Sequence, residues 1–185
     1  MSRNNLLLDR NRTGLLVVDI QKKILAVMAH PERVVENTVK LIKGFKIIGC
    51  PIFVTEQYPK GIGKTVDAIK EVLEDIKVQE KLTFSCCGIE GFIRSIRSRK
   101  IDQVVVCGIE SHVCVWQTVM DLVHEDFIVV VVRDALSSRK DEDYEAALNR
   151  MASQGIGVST TEMVLFELLE KAGTDEFKEV AELIK

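Results

Sequence analysis

The chain has 185 residues, 46% of them hydrophobic, and a formal net charge of −3. This composition suits a domain with a sizeable core, and it excludes a disordered chain and a protein that binds nucleic acid or anionic membranes through a basic surface. We expect a cytoplasmic protein, because no apolar run approaches the roughly 20 residues of a membrane span, no signal-peptide core is visible, and the five cysteines are odd in number and lack metal-ligand spacing.

The predicted secondary structure alternates between strands and helices. Short apolar runs typical of buried strands lie at residues 13–20, 51–56, 103–109, 127–132 and 156–159, and an extended segment lies at 77–84. Apolar residues at helical spacing predict helices at residues 31–48, 65–76, 89–99, 113–125, 142–154, 161–171 and 175–184. This alternation predicts a three-layer α/β/α fold with a mostly parallel, Rossmann-like sheet.

The domain organisation is expected to be simple. The chain has no linker rich in proline, glycine or serine, and it has no internal repeat. We therefore expect one domain over residues 1–185, with a core at about 13–171 and a C-terminal helix at 175–184.

Polar residues follow three of the predicted strands. In parallel α/β sheets the ligand site lies beyond the carboxyl ends of the strands, near the point where the strand order reverses. Asp19, the pair Glu56 and Gln57, and residues 110–114 all stand at such strand ends. The sequence therefore predicts that these residues, far apart along the chain, meet at one site.

Cys114 stands where an apolar strand gives way to a helix. The strand at 103–109 is followed by a short turn, which puts the cysteine at or near the first turn of the helix. A helix N-terminus gathers unpaired N–H groups and the positive end of the macrodipole, and both favour a thiolate over a thiol. The sequence therefore predicts that Cys114 is an activated nucleophile.

Asp19 and Lys81 are the candidates for its base and its charge partner. Considered alone, Asp19 is typical of a capping carboxylate and Lys81 of a solvated surface lysine. Together with Cys114 they form a chemically coherent set. The carboxylate can accept the thiol proton, while the ammonium keeps the carboxylate ionised and lowers the thiol pKa. Such a set suits attack of the sulfur on a carbonyl or related carbon.

Three stretches of the chain resemble those of the isochorismatase-like cysteine hydrolases, in the same order. They are residues 16–21 (LVVDIQ), Lys81 with Phe84-Ser85, and residues 107–115 (CGIESHVCV). This superfamily includes nicotinamidases, N-carbamoylsarcosine amidohydrolases and isochorismatases. The segments TEQYPKG at 55–61 and DALSSR at 134–139 further resemble the subgroup called isochorismatase domain-containing proteins, whose substrates are poorly defined.

The resemblance implies a mechanism. It implies a catalytic triad of Asp19, Lys81 and Cys114, and a non-proline cis peptide bond between Ile109 and Glu110. The N–H groups of Glu110 and Cys114 are implied to form an oxyanion hole. The Cys114 thiolate then attacks an amide carbon, an amine or ammonia leaves, and the thioester is hydrolysed. The resemblance also implies a homo-oligomer, a dimer or larger.

Five further residues are candidates for the substrate pocket because they lie in or next to these motifs. They are Gln21, Gln57, Tyr58, Phe84 and His112. His112 is no more than a pocket residue, because positions two apart on a helix do not face each other. A small-molecule substrate is the expected partner.

Two departures from the family pattern argue against two of the activities that are known in the superfamily. Nicotinamidases hold a metal through an Asp-x-His pattern after the second strand, whereas residues 55–58 read Thr-Glu-Gln-Tyr and contain no histidine. We therefore expect no metal and no cofactor, which argues against nicotinamidase activity. True isochorismatases typically lack the nucleophilic cysteine, so Cys114 favours the amidohydrolase branch.

Other patterns have simpler interpretations. Residues 61–65 (GIGKT) resemble the end of a phosphate-binding loop, but the required first glycine is replaced by Tyr58, so a substrate-covering loop is favoured. The adjacent Cys86 and Cys87 are best explained as two small apolar residues beside a turn. Two alternatives to a hydrolase stay open. One is a binding or scaffold protein without catalysis, and the other is a redox sensor in which Cys114 pairs with another cysteine.

Overall fold

A computed structural model of the protein describes residues 7–185. Its parallel sheet contains the strands β1 (Thr13–Val18), β2 (Ile52–Gln57), β3 (Val78–Lys81), β4 (Gln103–Ile109), β5 (Ile128–Ser137) and β6 (Gly157–Ser159). The strands lie side by side in the order β3-β2-β1-β4-β5-β6. The expected lack of a signal peptide, and the start of the expected domain, concern residues 1–6 and lie outside the described residues.

Helices connect the strands and cover both faces of the sheet. They are α1 (Lys22–Leu25), α2 (Pro31–Ile48), α3 (Pro59–Ile62), α4 (Asp67–Leu73), α5 (Phe92–Arg97), α6 (Trp116–His124), α7 (Asp141–Ser153), α8 (Thr161–Leu169) and α9 (Asp175–Ile184). A short 3₁₀ turn spans Cys86–Gly88, and a π-helical turn at Ser111–Val115 runs directly into α6.

Two apolar clusters hold the helices on the sheet. Successive side chains of a strand point to opposite faces, so Leu15 and Val17 of β1 join one cluster whereas Leu16 and Val18 join the other. The first cluster contains residues of α2, α4, α8 and α9, and the second contains residues of α5, α6 and α7. This burial on both faces explains why the central strands are continuous apolar runs, and it confirms the predicted three-layer fold.

The structure corrects several predicted boundaries. The helix predicted at 65–76 is limited to Asp67–Leu73, and the short helix α3 precedes it. Strand β5 does not end at residue 132 but continues to Ser137, because a register shift opposite Val106 and Gly108 lets extra residues bulge before pairing resumes. That extension carries β5 up to the level of the candidate site.

The strand order reverses between β1 and β4, which is the switch point of this sheet. Gly108 near the end of β4 lies against Val18 at the end of β1, with a φ of +120°. A Cβ atom at Gly108 would lie 2.1 Å from the Val18 carbonyl oxygen. Only glycine fits here, so the two strand ends can approach closely. Within residues 7–185, no helix combines the length and the apolar character needed to cross a membrane.

Candidate active site

Asp19, Lys81 and Cys114 meet at the carboxyl edge of the sheet. Asp19 follows β1, Lys81 ends β3, and Cys114 lies in the π-helical turn that follows β4. The Lys81 Nζ atom lies 2.6 Å from Asp19 Oδ2, and the Cys114 thiol is close enough to interact electrostatically with the same carboxylate. All three residues are buried. The fold thus joins three residues that come from three separate strand ends.

Asp19 is the centre of this group. Its backbone adopts a positive φ of 53°, a left-handed conformation that aspartate tolerates better than most residues. Thr55 of β2 donates its hydroxyl proton to Asp19 Oδ1 at 2.8 Å. Burial raises the pKa of Asp19, and the opposing effects of the Lys81 charge and of the hydrogen bonds do not fully cancel it. The carboxylate therefore accepts a proton more readily than an exposed aspartate does.

Lys81 is held by four oxygen acceptors. Its ammonium donates to Asp19 Oδ2 at 2.6 Å, to Gln57 Oε1 and the Phe84 carbonyl at 2.8 Å each, and to the Thr83 carbonyl at 3.2 Å. An ammonium has only three protons, so these contacts use its whole donor capacity. Lys81 is therefore a fixed counter-charge for Asp19, not the surface lysine that its local sequence alone would indicate.

The predicted lowering of the Cys114 pKa is wrong for the resting site. The pKa of the Cys114 thiol is raised to about 12, mainly by burial and then by the negative charge of Asp19, while the Lys81 charge opposes both effects. The helix N-terminus and the lysine are visible in the sequence, whereas the exclusion of water from the site is a property of the folded protein. The resting cysteine is therefore a thiol, and any nucleophilic attack requires transfer of its proton, for which Asp19 is a nearby acceptor.

The turn before Cys114 has the geometry that the family resemblance implies. The peptide bond between Ile109 and Glu110 is cis. The Glu110 carbonyl accepts hydrogen bonds from the N–H groups of Val113 at 3.1 Å and Val115 at 3.2 Å, and these bonds begin the π-helical turn. Cys114 is the fourth residue of that turn, which puts it near the positive end of the helix dipole.

Three side-chain contacts tie this turn to the end of β5, and the sequence did not reveal them. The Glu110 carboxylate accepts two hydrogen bonds from Arg139, at 2.8 and 3.1 Å. The Ser111 hydroxyl donates to the carbonyl oxygen of residue 137 at 2.8 Å, and His112 Nδ1 lies 2.9 Å from the hydroxyl oxygen of residue 138. We call these three contacts the turn clamp. The one signal in the sequence was that Glu110 and Arg139 carry opposite charges and follow neighbouring strands, which is compatible with an ion pair between them.

Comparisons with known proteins now place the chain. The family model described as the isochorismatase domain matches residues 13–163. The chain belongs to the isochorismatase family. It is 35% identical over 172 residues to isochorismatase domain-containing protein 2 of Danio rerio, covering 92% of this chain and 85% of that relative, which supports the predicted subgroup.

Solved structures agree with this isochorismatase assignment. A structure of the MAR1 ribonuclease from Caenorhabditis elegans is 35% identical, has a TM-score of 0.90, and covers 96% of this chain and 92% of its own. The YcaC gene product of Escherichia coli, described as an octameric hydrolase of unknown specificity, has a TM-score of 0.91 over 99% of this chain and 91% of its own. At 24% identity the latter shows only a shared fold. The fold is therefore that of the isochorismatase-family hydrolases.

Two of the predicted pocket residues of this isochorismatase-family chain are engaged inside the protein. The Gln21 side chain accepts from the Gln57 N–H at 2.7 Å and donates to the Gln57 carbonyl at 3.0 Å. The Gln57 side chain accepts from Lys81 and donates to the Leu82 carbonyl at 2.8 Å. Both glutamines therefore build the scaffold around Lys81, and their amide groups have hydrogen-bond partners without a substrate.

Tyr58 and Phe84 have accessible side chains, with exposures of 49% and 53%. Tyr58 has a positive φ of 37°, and its N–H donates to the Lys81 carbonyl at 2.8 Å. A cavity of about 380 Å³ opens beside it, lined by Tyr58, Pro59, Lys60, Glu80, Lys81 and Leu82. His112 is half-buried, and its second ring nitrogen lies 4.0 Å from Asp143. These three candidates remain available to a substrate.

The glycine-rich loop at 61–65 is fixed to the protein through Glu56. The buried Glu56 carboxylate accepts from the N–H of Thr65 at 2.6 Å and from its hydroxyl at 2.8 Å, and it lies 3.2 Å from Lys64 Nζ. Burial pushes the pKa of Glu56 upward, but these bonds together hold it below its ordinary value. The glycine-rich loop thus covers β2. In residues 7–185, no cluster of three His, Cys, Asp or Glu side chains could hold a metal.

The hydroxyl groups of Thr55 and Thr118, linked through Cys86, support Asp19 and Cys114 from inside the protein. The sequence did not reveal these contacts. The Cys86 Sγ atom lies 3.5 Å from Thr55 Oγ1, and the Cys86 N–H donates to Thr118 Oγ1 at 3.0 Å. Thr118 in turn donates to the Cys114 carbonyl at 2.6 Å. These contacts link the supports of the base and of the nucleophile. All five cysteines, including the adjacent Cys86 and Cys87, are free thiols.

The largest of the described cavities lies away from the triad. Its volume is about 640 Å³, and it opens at the amino end of β2, where Lys46, Phe53, Glu74 and Arg99 are among its lining residues. No triad residue lines it. This cavity is therefore separate from the site that Asp19, Lys81 and Cys114 form.

Proposed function

We propose that the protein is a cysteine-dependent hydrolase that cleaves a carbon–nitrogen bond in a small amide. Cys114 is the nucleophile, Asp19 the base and Lys81 the charge partner. The observation that carries this proposal is that one buried carboxylate, Asp19, binds the Lys81 ammonium at 2.6 Å and also interacts electrostatically with the Cys114 thiol. A nucleophile beside a base that is itself held by a counter-charge suits covalent catalysis.

The first half of the reaction forms a thioester. The Cys114 sulfur attacks the carbonyl carbon while its proton moves to Asp19, whose raised pKa suits it to accept that proton. The negative charge on the carbonyl oxygen is bound by the N–H groups of Glu110 and Cys114. The carbon–nitrogen bond then breaks, and the departing amine takes the proton from Asp19.

The second half releases the acid. Asp19, again ionised, accepts a proton from a water molecule that attacks the thioester carbonyl. The tetrahedral intermediate collapses, the carboxylic acid leaves, and the Cys114 sulfur recovers the proton held by Asp19. Lys81 keeps its charge throughout, because its four acceptors stay in place and its proximity offsets the charge of the buried carboxylate.

The proposal also covers the location of the protein, its oligomeric state and the class of its substrate. Free cysteines support a reducing, cytoplasmic location. The octameric Escherichia coli neighbour supports a homo-oligomer. The Caenorhabditis elegans relative is described as a ribonuclease, but a net charge of −3 does not favour a polyanionic substrate here. A small neutral amide suits the buried triad better.

A panel of small amides, carbamoylated amines and single-stranded RNA tests the proposal. We expect ammonia or amine release with the wild-type protein from at least one amide. Cys114→Ala should lower that rate by a factor of about 10³ or more, as is usual when a covalent nucleophile is removed. Mass spectrometry after rapid acid quench should show an acyl group on Cys114.

Each other result has a defined meaning. Equal rates for the wild type and Cys114→Ala would exclude Cys114 catalysis. RNA cleavage that survives Cys114→Ala would replace the amide proposal with a different activity. Binding of an amide without turnover by either protein would support the non-catalytic alternative, and a disulfide on Cys114 after mild peroxide treatment would support the redox alternative.

A further inference from the structure

The turn that carries Cys114 is held in place by contacts with the segment 137–139, which lies outside the turn. Residues 110, 111 and 112 each contact a residue in the segment 137–139, as described for the turn clamp. We propose that Arg139 is a positioning residue, whose paired hydrogen bonds to Glu110 hold this turn so that the Cys114 thiol stays against Asp19. This inference rests on the proposed function, because it assigns a purpose to a residue that does not touch the triad.

The Glu110–Arg139 pair is well suited to this purpose. The Glu110 side chain is only 6% exposed, whereas the Arg139 side chain is 60% exposed. A buried carboxylate without a partner is strongly unfavourable, so we expect Glu110 to move if Arg139 is lost. The guanidinium binds both carboxylate oxygens, which fixes the orientation of Glu110 as well as its charge.

Movement of Glu110 is transmitted directly to Cys114. The Glu110 carbonyl accepts the N–H groups of Val113 and Val115, the two neighbours of Cys114 in the chain. A rotation of the backbone at Glu110 therefore displaces the turn on which the sulfur stands. Since proton transfer from the sulfur to Asp19 needs close contact, a small displacement separates the nucleophile from its base.

Arg139 has two competing explanations, and the first is direct binding of an anionic substrate. Its exposed guanidinium lies at the carboxyl edge of the sheet and has donors beyond the two that Glu110 uses. A second competing explanation is the electrostatic effect of its positive charge on the Cys114 thiol. The three explanations differ in what they predict for Glu110 and for probes of different charge.

The experiment measures alkylation of Cys114 by neutral iodoacetamide and by anionic iodoacetate, with the modified peptide quantified by mass spectrometry. The proteins are the wild type, Arg139→Gln, Glu110→Gln and the double variant. Arg12→Gln is the matched control, because Arg12 forms a similar two-bond pair with Asp102, at 2.6 and 2.7 Å, at the opposite end of the sheet. Circular dichroism checks that each variant is folded.

We expect both single variants to slow alkylation by about 10- to 100-fold, because a small displacement of a reacting group has effects of this size. Both reagents should be affected equally. The double variant should recover most of the wild-type rate, since two neutral amides can hydrogen-bond without an unpaired charge. Arg139→Lys should recover part of it, and Arg12→Gln should label like the wild type.

Three outcomes would overturn the inference. If Glu110→Gln speeds alkylation, Arg139 acts through its charge alone. If Arg139→Gln slows iodoacetate but not iodoacetamide, Arg139 binds anions directly. If all variants label at the wild-type rate, the turn clamp does not position Cys114. Failure of the proposed function looks different, because the wild-type Cys114 would then label no faster than the other buried cysteines.

Discussion

Asp19 experiences opposing influences, and their balance sets the chemistry of the site. Burial raises its pKa, while Lys81 and Thr55 lower it. The same carboxylate raises the pKa of Cys114. A raised proton affinity at Asp19 favours general-base catalysis, yet the negative charge that makes it a base also stabilises the resting thiol. These two effects of one side chain predict opposite results for its neutralisation.

The substitution Asp19→Asn distinguishes the role of Asp19 as a base from the effect of its negative charge on the resting thiol. If Asp19 is the general base, the variant should alkylate at Cys114 about 10²-fold or more slowly than the wild type near pH 7.5, in line with the usual contribution of a positioned base. If only resting electrostatics matter, removal of the negative charge should lower the thiol pKa and make alkylation faster. Iodoacetamide labelling of Cys114, with Cys50 and Cys107 as internal controls, measures the direction. Faster labelling would remove Asp19 from the mechanism.

The residues of the triad could be found from the sequence, but the state of the thiol could not. Asp19, Lys81 and Cys114 stand in recognisable local patterns at strand ends. The pKa of Cys114, however, depends on how completely neighbouring elements exclude water, and this is a property of the packed molecule. For the same reason the turn clamp was invisible, because Ser111 and His112 find their partners only when β5 extends beyond its predicted end.

Among the elements, those with strong local sequence signals were predicted well, whereas the turn after β4, which positions Cys114, was not. Helix α2 begins at Pro31 and ends before Gly49, as the sequence indicated, because proline suits the first helical position and glycine the left-handed conformation after the last. The π-helical turn was not predicted, since tertiary contacts such as those of Glu110 determine it.

Gly108→Ala tests the close approach of β4 to β1. The new Cβ atom would lie 2.1 Å from the Val18 carbonyl oxygen, and the φ of +120° is unfavourable for alanine. We expect a loss of about 3 kcal/mol or more in the free energy of unfolding, together with slower Cys114 labelling in the molecules that remain folded. Urea unfolding followed by circular dichroism measures the loss.

Gly49→Ala is the matched control for that substitution. Gly49 also has a positive φ, of 84°, but nothing lies within 4 Å of its added Cβ atom. It should therefore cost only the backbone strain, about 1 kcal/mol, and leave labelling unchanged. Equal costs for the two substitutions would show that the contact with Val18 can relax and that this approach does not constrain the site.

At the scale of the whole molecule, free thiols are distributed through both apolar clusters. Cys107 packs on one face of the sheet, and Cys86 and Cys114 pack on the other. Burial raises the pKa of Cys86 to about 11 and that of Cys107 to about 12, compared with an ordinary value of 9.0. These thiols remain protonated in the folded protein at pH values where the unfolded chain releases their protons.

This difference predicts a loss of stability at alkaline pH. Below about pH 9 both states hold the protons, so the contribution of the thiols is fully present. Between the unfolded value of 9.0 and the folded value of about 12 for Cys107, the unfolded state binds fewer protons, and the free energy of unfolding falls as pH rises. Cys107 alone should contribute a loss of about 2 to 3 kcal/mol between pH 8 and pH 11, at roughly 1.4 kcal/mol for each pH unit.

Cys107→Ala isolates that contribution from lysines and tyrosines, which also titrate in this range. Cys107 is wholly buried and lies 4.0 Å from the Thr38 hydroxyl, so alanine should destabilise the protein at pH 8 through the cavity it leaves. Its stability should then fall less steeply than that of the wild type as pH rises, and the gap between the two proteins should narrow by pH 11. Urea unfolding at several pH values measures both curves. Parallel curves would mean that Cys107 gains access to solvent and loses its proton within the folded protein.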